Sequence, residues 1–189
     1  MSFRHLLPLA LAAALAPAIA AADQYVIETH HTYPSLEMTH MGISIWRGKF
    51  NHSSGKVTLD RKARTGTVDI QVDAASVDFG HDEMNKHAVA EEWLNVKQYP
   101  VMNYRGRLQF DGDSPSAVDG QLTLRGVTRP VKLKINSFVC IDHPFYKKEV
   151  CGADAEGMVD RADFGMTQYT ENGAGKILLR IQVEAIKEG

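Results

Sequence analysis

The sequence predicts an all-β protein, an antiparallel barrel with one short α-helix near an opening. Three observations predict it. Short segments of alternating polar and apolar residues recur from His31 to the C-terminus, and alternation along a chain defines the two faces of a strand. Short runs of turn residues separate these segments, which joins neighbours as antiparallel hairpins. One stretch, residues 82–95, changes to a helical period. A sheet closed in this way encloses apolar surface and has room for an apolar ligand.

Residues 1–22 read as an export leader, not as part of the fold. Arg4 supplies the positive start, and Leu6 to Ile19 is a short run rich in Ala and Leu. Ala18-Ile-Ala20 and Ala20-Ala-Ala22 both satisfy the small-residue rule for cleavage. Cleavage is expected after Ala22, with Ala20 the alternative. A membrane anchor fits less well. The run is shorter than the roughly 20 apolar residues that span a bilayer, and Pro8 and Pro17 interrupt it. The expected product is one domain over residues 23–189, periplasmic, with no stable membrane insertion.

An extended lead-in at residues 22–25 opens the domain. Leu36 to Trp46 reads as one long strand, or a strand bent at Gly42, with Leu36, Met38 and His40 on one face. Ile43 and Ile45 are its apolar positions beyond the bend. Residues 50–55 form a turn-rich connection. Strands follow at Lys56–Asp60 and Thr67–Asp73 around a polar turn, the second with Val68, Ile70 and Val72 on one face.

Residues 82–95 contain helix formers and no Gly or Pro. Asp82 is the expected N-cap, with acids in the first turn. Met84, Ala88, Val89 and Trp93 follow three- and four-residue spacing, and Pro100 ends the segment. This helix is expected to pack across one barrel opening. Strands resume at Val101–Phe110, and a loop is expected over 111–117. Val118–Arg125, a turn at Gly126 and Val131–Phe138 come next. Ala153–Asp160 and Lys176–Ile186 complete the set, with loops at 163–166 and 171–175.

Cys140 and Cys151 are the only cysteines. In an exported chain they are expected to pair and to pin the base of a hairpin loop. A metal site on Cys140, His143 and Cys151 is the alternative, but it lacks a fourth ligand. His30 and His31 are adjacent and point to opposite faces of an extended chain, which makes a poor chelating pair. No metal and no resident cofactor are expected.

Without Arg4 the domain has 20 Lys and Arg (21 less one) against 23 acids. That balance argues against a nucleic-acid partner, which calls for a basic patch. The chain has no nucleophile elbow, no His-Glu-x-x-His and no phosphate loop.

Four motifs in order carry a resemblance. The first has His31 and His40 nine residues apart, Leu36 and Met38 between them, and Gly48-Lys-Phe50 after them. The second is Glu92-Trp-Leu-Asn-Val-Lys-Gln-Tyr-Pro100. The third is Gly120-Gln-Leu-Thr-Leu-Arg-Gly-Val-Thr-Arg-Pro-Val131, and the fourth is Arg161-Ala-Asp-Phe-Gly-Met166. From Tyr25 to Ile186 the chain resembles the YceI-like proteins, periplasmic lipid-binding proteins with a lipocalin-like barrel. It departs from them at Ala88, where the helix often has Leu after His, and at Thr32 and Pro34, where Ser and Val or Ile are common. These changes touch ligand identity and the barrel mouth.

The resemblance implies a hydrophobic ligand: a long isoprenoid or other amphipathic lipid, a quinone or fatty lipid included. The lipid would be held for transport, storage or sequestration without catalysis. Each methylene removed from water is worth about 0.8 kcal/mol, so an apolar pore gains along the tail's length. The expected tail lining is Leu36, Met38, Ile43, Ile45, Val68, Ile70 and Tyr104, then Leu108, Leu122, Leu133, Ile135, Phe164, Leu179 and Ile181. Closed core packing is the alternative at each, because alternation does not tell a filled interior from a hollow one.

His31, His40, Arg161 and Asp163 are the expected head-group residues, by their places in the motifs. A structural ion pair with Asp160 or Asp163 is the alternative for Arg161, and hydrogen-bonded packing for the histidines. The competing function is a small lipid-processing enzyme, with His40 and Asp163 as an acid–base pair at the mouth. That requires the two within hydrogen-bond reach. Members of the family can be dimeric, so a homodimer stands beside the monomer.

Overall fold

The computed structural model describes residues 22–189. All of the expected leader except Ala22 falls outside the described residues. Its strands are β1 (Asp23–Ile27), β2 (Tyr33–His40), β3 (Ser44–Phe50), β4 (Ser53–Asp60), β5 (Thr65–Asp73) and β6 (Val77–Asp78). Helix α1 (Asp82–Ala88) separates these from β7 (Val101–Asp111), β8 (Ser114–Leu124), β9 (Val127–Asp142), β10 (Glu149–Asp160) and β11 (Lys176–Lys187).

All pairings are antiparallel, and β11 returns to the start of the chain. Ile186 faces Val26 of β1, and Leu179 faces Leu36 of β2. β1 with β2, β3 with β4 and β5 with β6 each act as one bent strand. The sheet is therefore an eight-strand, up-and-down closed barrel, which leaves no long edge open.

The period-two pattern decides which side chains turn inward. On β5, Val68, Ile70 and Val72 contact the interior; on β11, Leu179, Ile181, Val183 and Ala185 do. A bulge between Asp154 and Ala155 leaves Asn136 without a cross-strand partner, so Phe138 and Ile135 both stay inside. At one end of the barrel lie the β2–β3 tip, α1 with the turns after it, and the segment 161–175. The opposite end is packed around Tyr25, Ile27, Leu59, Cys151 and Ala185.

Some boundaries differ from expectation. The helix stops at Ala88 instead of continuing to Asn95, and its N-cap is His81, whose Nδ1 accepts from the Met84 N–H at 3.4 Å. On one continued helix Leu94 would point well away from Val89 and Val96, which lie seven residues apart on one face. A chain of tight turns lets all three pack against the core. The loop expected over 111–117 is only a two-residue turn at Gly112 and Asp113, and β4 starts at Ser53 within the expected connection.

Cys140 and Cys151 face each other across β9 and β10 and form a disulfide, with 4.0 Å between their Cα atoms. Closing so short a loop is worth about 3 kcal/mol through the unfolded chain's entropy.

Candidate functional site

Because the inward positions of all the strands are apolar and closure leaves space between them, the interior is a cavity. Its volume is about 800 Å³. It runs from Tyr25 and Leu59 at the packed end to Met41, Trp46, Trp93 and Tyr169 at the other. The charged side chains among its lining residues are Arg161 and Glu171, both from the mouth segment. The size is within the about 300–1,000 Å³ typical of small-molecule sites.

Most of the expected tail positions line this space. Leu36 and Met38 come from β2, Val68 and Ile70 from β5, and Tyr104 and Leu108 from β7. Leu122 comes from β8, Leu133 and Ile135 from β9, and Leu179 and Ile181 from β11. Three positions stand elsewhere. Met41 and Gly42 both take positive φ, 53° and 72°, and the chain reverses there with the even positions inward on both sides, Met38 facing Trp46 and Leu36 facing Gly48. Beyond the turn Trp46, Gly48 and Phe50 alternate inward, while Ile43 and Ile45 are exposed. Phe164 lies buried in a 3₁₀ turn over Arg161–Phe164 and packs in the core without lining the cavity.

Two tyrosine hydroxyls in the wall are hydrogen-bonded. The single proton of the Tyr104 hydroxyl is donated to the carbonyl of Val131 (2.9 Å), with that of Val118 also in reach (3.3 Å), and burial pushes its pKa up, so it stays neutral. At the packed end Tyr25 donates to Glu149, which Arg61 also holds at 3.0 Å. Burial, and then that hydrogen bond, raise the Tyr25 pKa. Neither hydroxyl is left as an unpaired group facing an apolar ligand.

The mouth is built from three elements. From the β2–β3 hairpin, His40 stacks on Trp46, with ring centroids 3.9 Å apart and planes 13° apart. From the turns after α1, Trp93 has the Arg161 guanidinium 4.7 Å from its ring centre and lies 5.4 Å from His87. From the segment 161–175, Tyr169, Glu171 and Asn172 complete the lining.

Arg161 is only 3 % exposed. Its guanidinium donates to the carbonyls of Met166 (2.7 Å), Tyr169 (2.8 Å), Ala174 (3.3 Å) and Gln168. Burial pulls its pKa down, while Asp160 and Glu171 push it back up. Arg161 therefore shapes the mouth segment through backbone carbonyls, where an ion pair with Asp160 or Asp163 was the expected alternative. Asp160 instead caps the 3₁₀ turn and pairs with Lys176.

The four expected head-group residues do not form one cluster. His40 and Arg161 line the mouth; Asp163 is exposed and off the lining. Among the described residues no hydrogen bond joins His40 to Asp163. His31 sits outside, at the corner between β1 and β2, with its Nδ1 2.6 Å from buried Glu28.

That corner has a pH consequence. Burial pushes the Glu28 carboxyl up, but hydrogen bonds from His31 and from the backbone of His30 and His31 outweigh it and hold its pKa below the usual range. A depressed carboxylate stabilises the fold above its unfolded pKa, and the contribution is lost as pH falls through the folded value. Glu28→Gln is therefore expected to flatten the acid limb of a stability–pH curve below about pH 4.5, the ordinary Glu range. Urea midpoints of both proteins between pH 3 and 7 check this; parallel curves would refute it.

Met84, His87 and Trp93 reach the mouth from the segment expected to pack across an opening, while Trp46, Phe79 and Tyr169 line it without having been expected there. Counting by twos back from Phe50 would have found Trp46. Nothing local marks Phe79 or Tyr169, which tertiary turns bring in.

A model of the YceI-like domain matches residues 25–185. A UPF0312 protein of Shewanella denitrificans is 30% identical over 192 residues, covering 98% of this chain and 99% of its own. The crystal structure of a YCEI protein from Campylobacter jejuni superposes with a TM-score of 0.66 at 23% identity, over 80% of this chain and 91% of the other. A polyisoprenoid binding domain from Saccharophagus degradans superposes at 0.61 and 12% identity, over 89% of this chain and 100% of that one. These two likenesses are of fold. Among the described residues no helix is long and apolar enough to cross a membrane.

Proposed function

The chain belongs to the YceI-like family, and from that premise we propose that it is a non-catalytic periplasmic protein that holds a long-chain isoprenoid or similar amphipathic lipid in its barrel. The observation that carries this reading is the apolar cavity of about 800 Å³, open at one end of the barrel. A polyprenyl tail in that space leaves water at a gain of about 0.8 kcal/mol per methylene. The polyisoprenoid binding domain of the same fold in Saccharophagus degradans supports the ligand class.

The flat surfaces at the mouth favour one head-group class. His40 on Trp46 and Arg161 on Trp93 present planar groups beside the cavity. A quinone ring matches such surfaces by offset stacking, and its prenyl tail matches the pore. Transport, storage and sequestration all use the same contact set. The expected cleavage after Ala22 supports the periplasmic placement.

The test is native mass spectrometry of the mature chain after delivery of a polyprenol or a prenyl quinone from cyclodextrin. A one-to-one adduct that is released on unfolding is expected. A clean apo mass with both ligands would overturn the reading.

A further inference from the structure

The rim of the cavity carries apolar side chains out into solvent. Met41 is 73 % exposed and Ile43 80 % exposed at the β2–β3 tip, and Tyr169 is 71 % exposed on the segment 161–175. Residues 38–46 and 164–170 contain no Lys, Arg, Asp or Glu. Both stretches belong to the mouth. Met41 and Tyr169 also line the cavity, so along these side chains apolar surface runs from the interior to the outside, beside the lining charges of Arg161 and Glu171.

We propose that this uncharged rim, the β2–β3 tip together with Tyr169, docks the barrel mouth onto the surface of a lipid bilayer. The proposal rests on the lipid-binding reading above and adds where the ligand is exchanged. Continuity with the cavity selects the occupant. A tail passing between bilayer and barrel through water would expose its methylenes at a cost that grows with its length. A mouth seated in the headgroup layer removes that gap. Isolated Met and Ile side chains and a Tyr ring suit the interface, where an apolar body sits below a wet hydroxyl. The contact is peripheral, made by one turn and one ring, and needs no spanning segment.

The opposite end of the barrel provides the control. Phe145, on the disulfide hairpin, is 86 % exposed, yet it is remote from the mouth. The experiment is flotation of the mature chain with vesicles of phosphatidylethanolamine and phosphatidylglycerol. The wild-type chain and Phe145→Ser are expected to float alike, and Ile43→Leu with them. Ile43→Asp is expected to float about fivefold less, because a charge at the interface opposes insertion. Ile43 is outside the lining, so all of these proteins should take up polyprenol from cyclodextrin equally. No flotation of the wild type, or equal flotation of Ile43→Asp, would overturn the docking surface. So would a concentration-dependent dimer that Ile43→Asp dissolves, because the tip would then bind a second copy. Failure of the wild type to take polyprenol from cyclodextrin is a separate result and would overturn the cavity reading itself.

Discussion

Ala155→Phe is expected to abolish ligand uptake while leaving the barrel as stable as before, or more so. Ala155 lies on β10 between Ile135 of β9 and Ile181 of β11, buried and lining the cavity. Its Cβ points into the lumen, part-way between the mouth and the packed end. In a filled core the added phenyl ring would overpack and cost about 1–3 kcal/mol. Here it enters open space, where burying an apolar side chain is worth about 1.5–3 kcal/mol. A polyprenyl tail can no longer pass that level, so affinity should fall more than tenfold. Thermal unfolding and native mass spectrometry read the two effects on one sample. A variant that unfolds at markedly lower temperature would show that the interior is packed, and would remove the cavity on which the binding reading stands. A stable variant that still carries the adduct would place the ligand elsewhere.

This experiment settles the alternative that alternation along the strands leaves open. Val68, Ile70, Leu179 and Ile181 would alternate in the same way in a filled sandwich. Periodicity records which face is apolar, and closure decides whether the facing walls meet. That is why the barrel and most of its lining were legible in the sequence while the hollow interior needed the structure. The missed positions have two causes. Ile43 and Ile45 are apolar but occupy odd positions, and the β2–β3 register keeps the even positions inward on both sides of the turn, Met38 facing Trp46 and Leu36 facing Gly48. Phe164 sits in a 3₁₀ turn, where strand alternation does not apply. The bulge at Asn136 shifts β9 by one residue between Ile135 and Phe138, yet both were apolar and the pattern hid the step. The mouth was legible only in part. Arg161 belongs to a recognisable motif, but its partners are the backbone carbonyls of Met166, Gln168, Tyr169 and Ala174. Such contacts leave no residue-type signal. His31 and His40 share a motif but have different surroundings, because the corner after β1 leaves His31 outside the barrel.

Gly120→Ala is expected to lower the stability of the barrel by about 2–4 kcal/mol, combining overpacking with the loss of the Tyr104 hydroxyl's hydrogen bond. Gly120 opens the third motif of the resemblance, and the structure gives it a mechanical role. The Tyr104 ring starts on β7, lies flat over Gly120 of β8 and reaches the carbonyl of Val131 on β9. A Cβ on Gly120 would come within 2.7 Å of Tyr104 Cε2 and closer still to its Cζ and hydroxyl oxygen. The ring would have to lift into the lumen. Its hydroxyl would then leave Val118 and Val131 for an apolar space, where an unpaired polar group costs about 1–3 kcal/mol. For a domain of this size the melting temperature should fall by roughly 5–15 °C. The lifted ring should also narrow the pore, so uptake drops with stability in this variant, whereas Ala155→Phe separates the two. The double variant Gly120→Ala with Tyr104→Leu tests the cause. With the ring gone the alanine has space, so the pair of substitutions should cost clearly less than the sum of the singles. Strict additivity would mean that Tyr104 does not lie over Gly120. Coupling would show how a large residue stays in the wall of a barrel without filling it: one strand gives up its side chain so that the ring can lie across it.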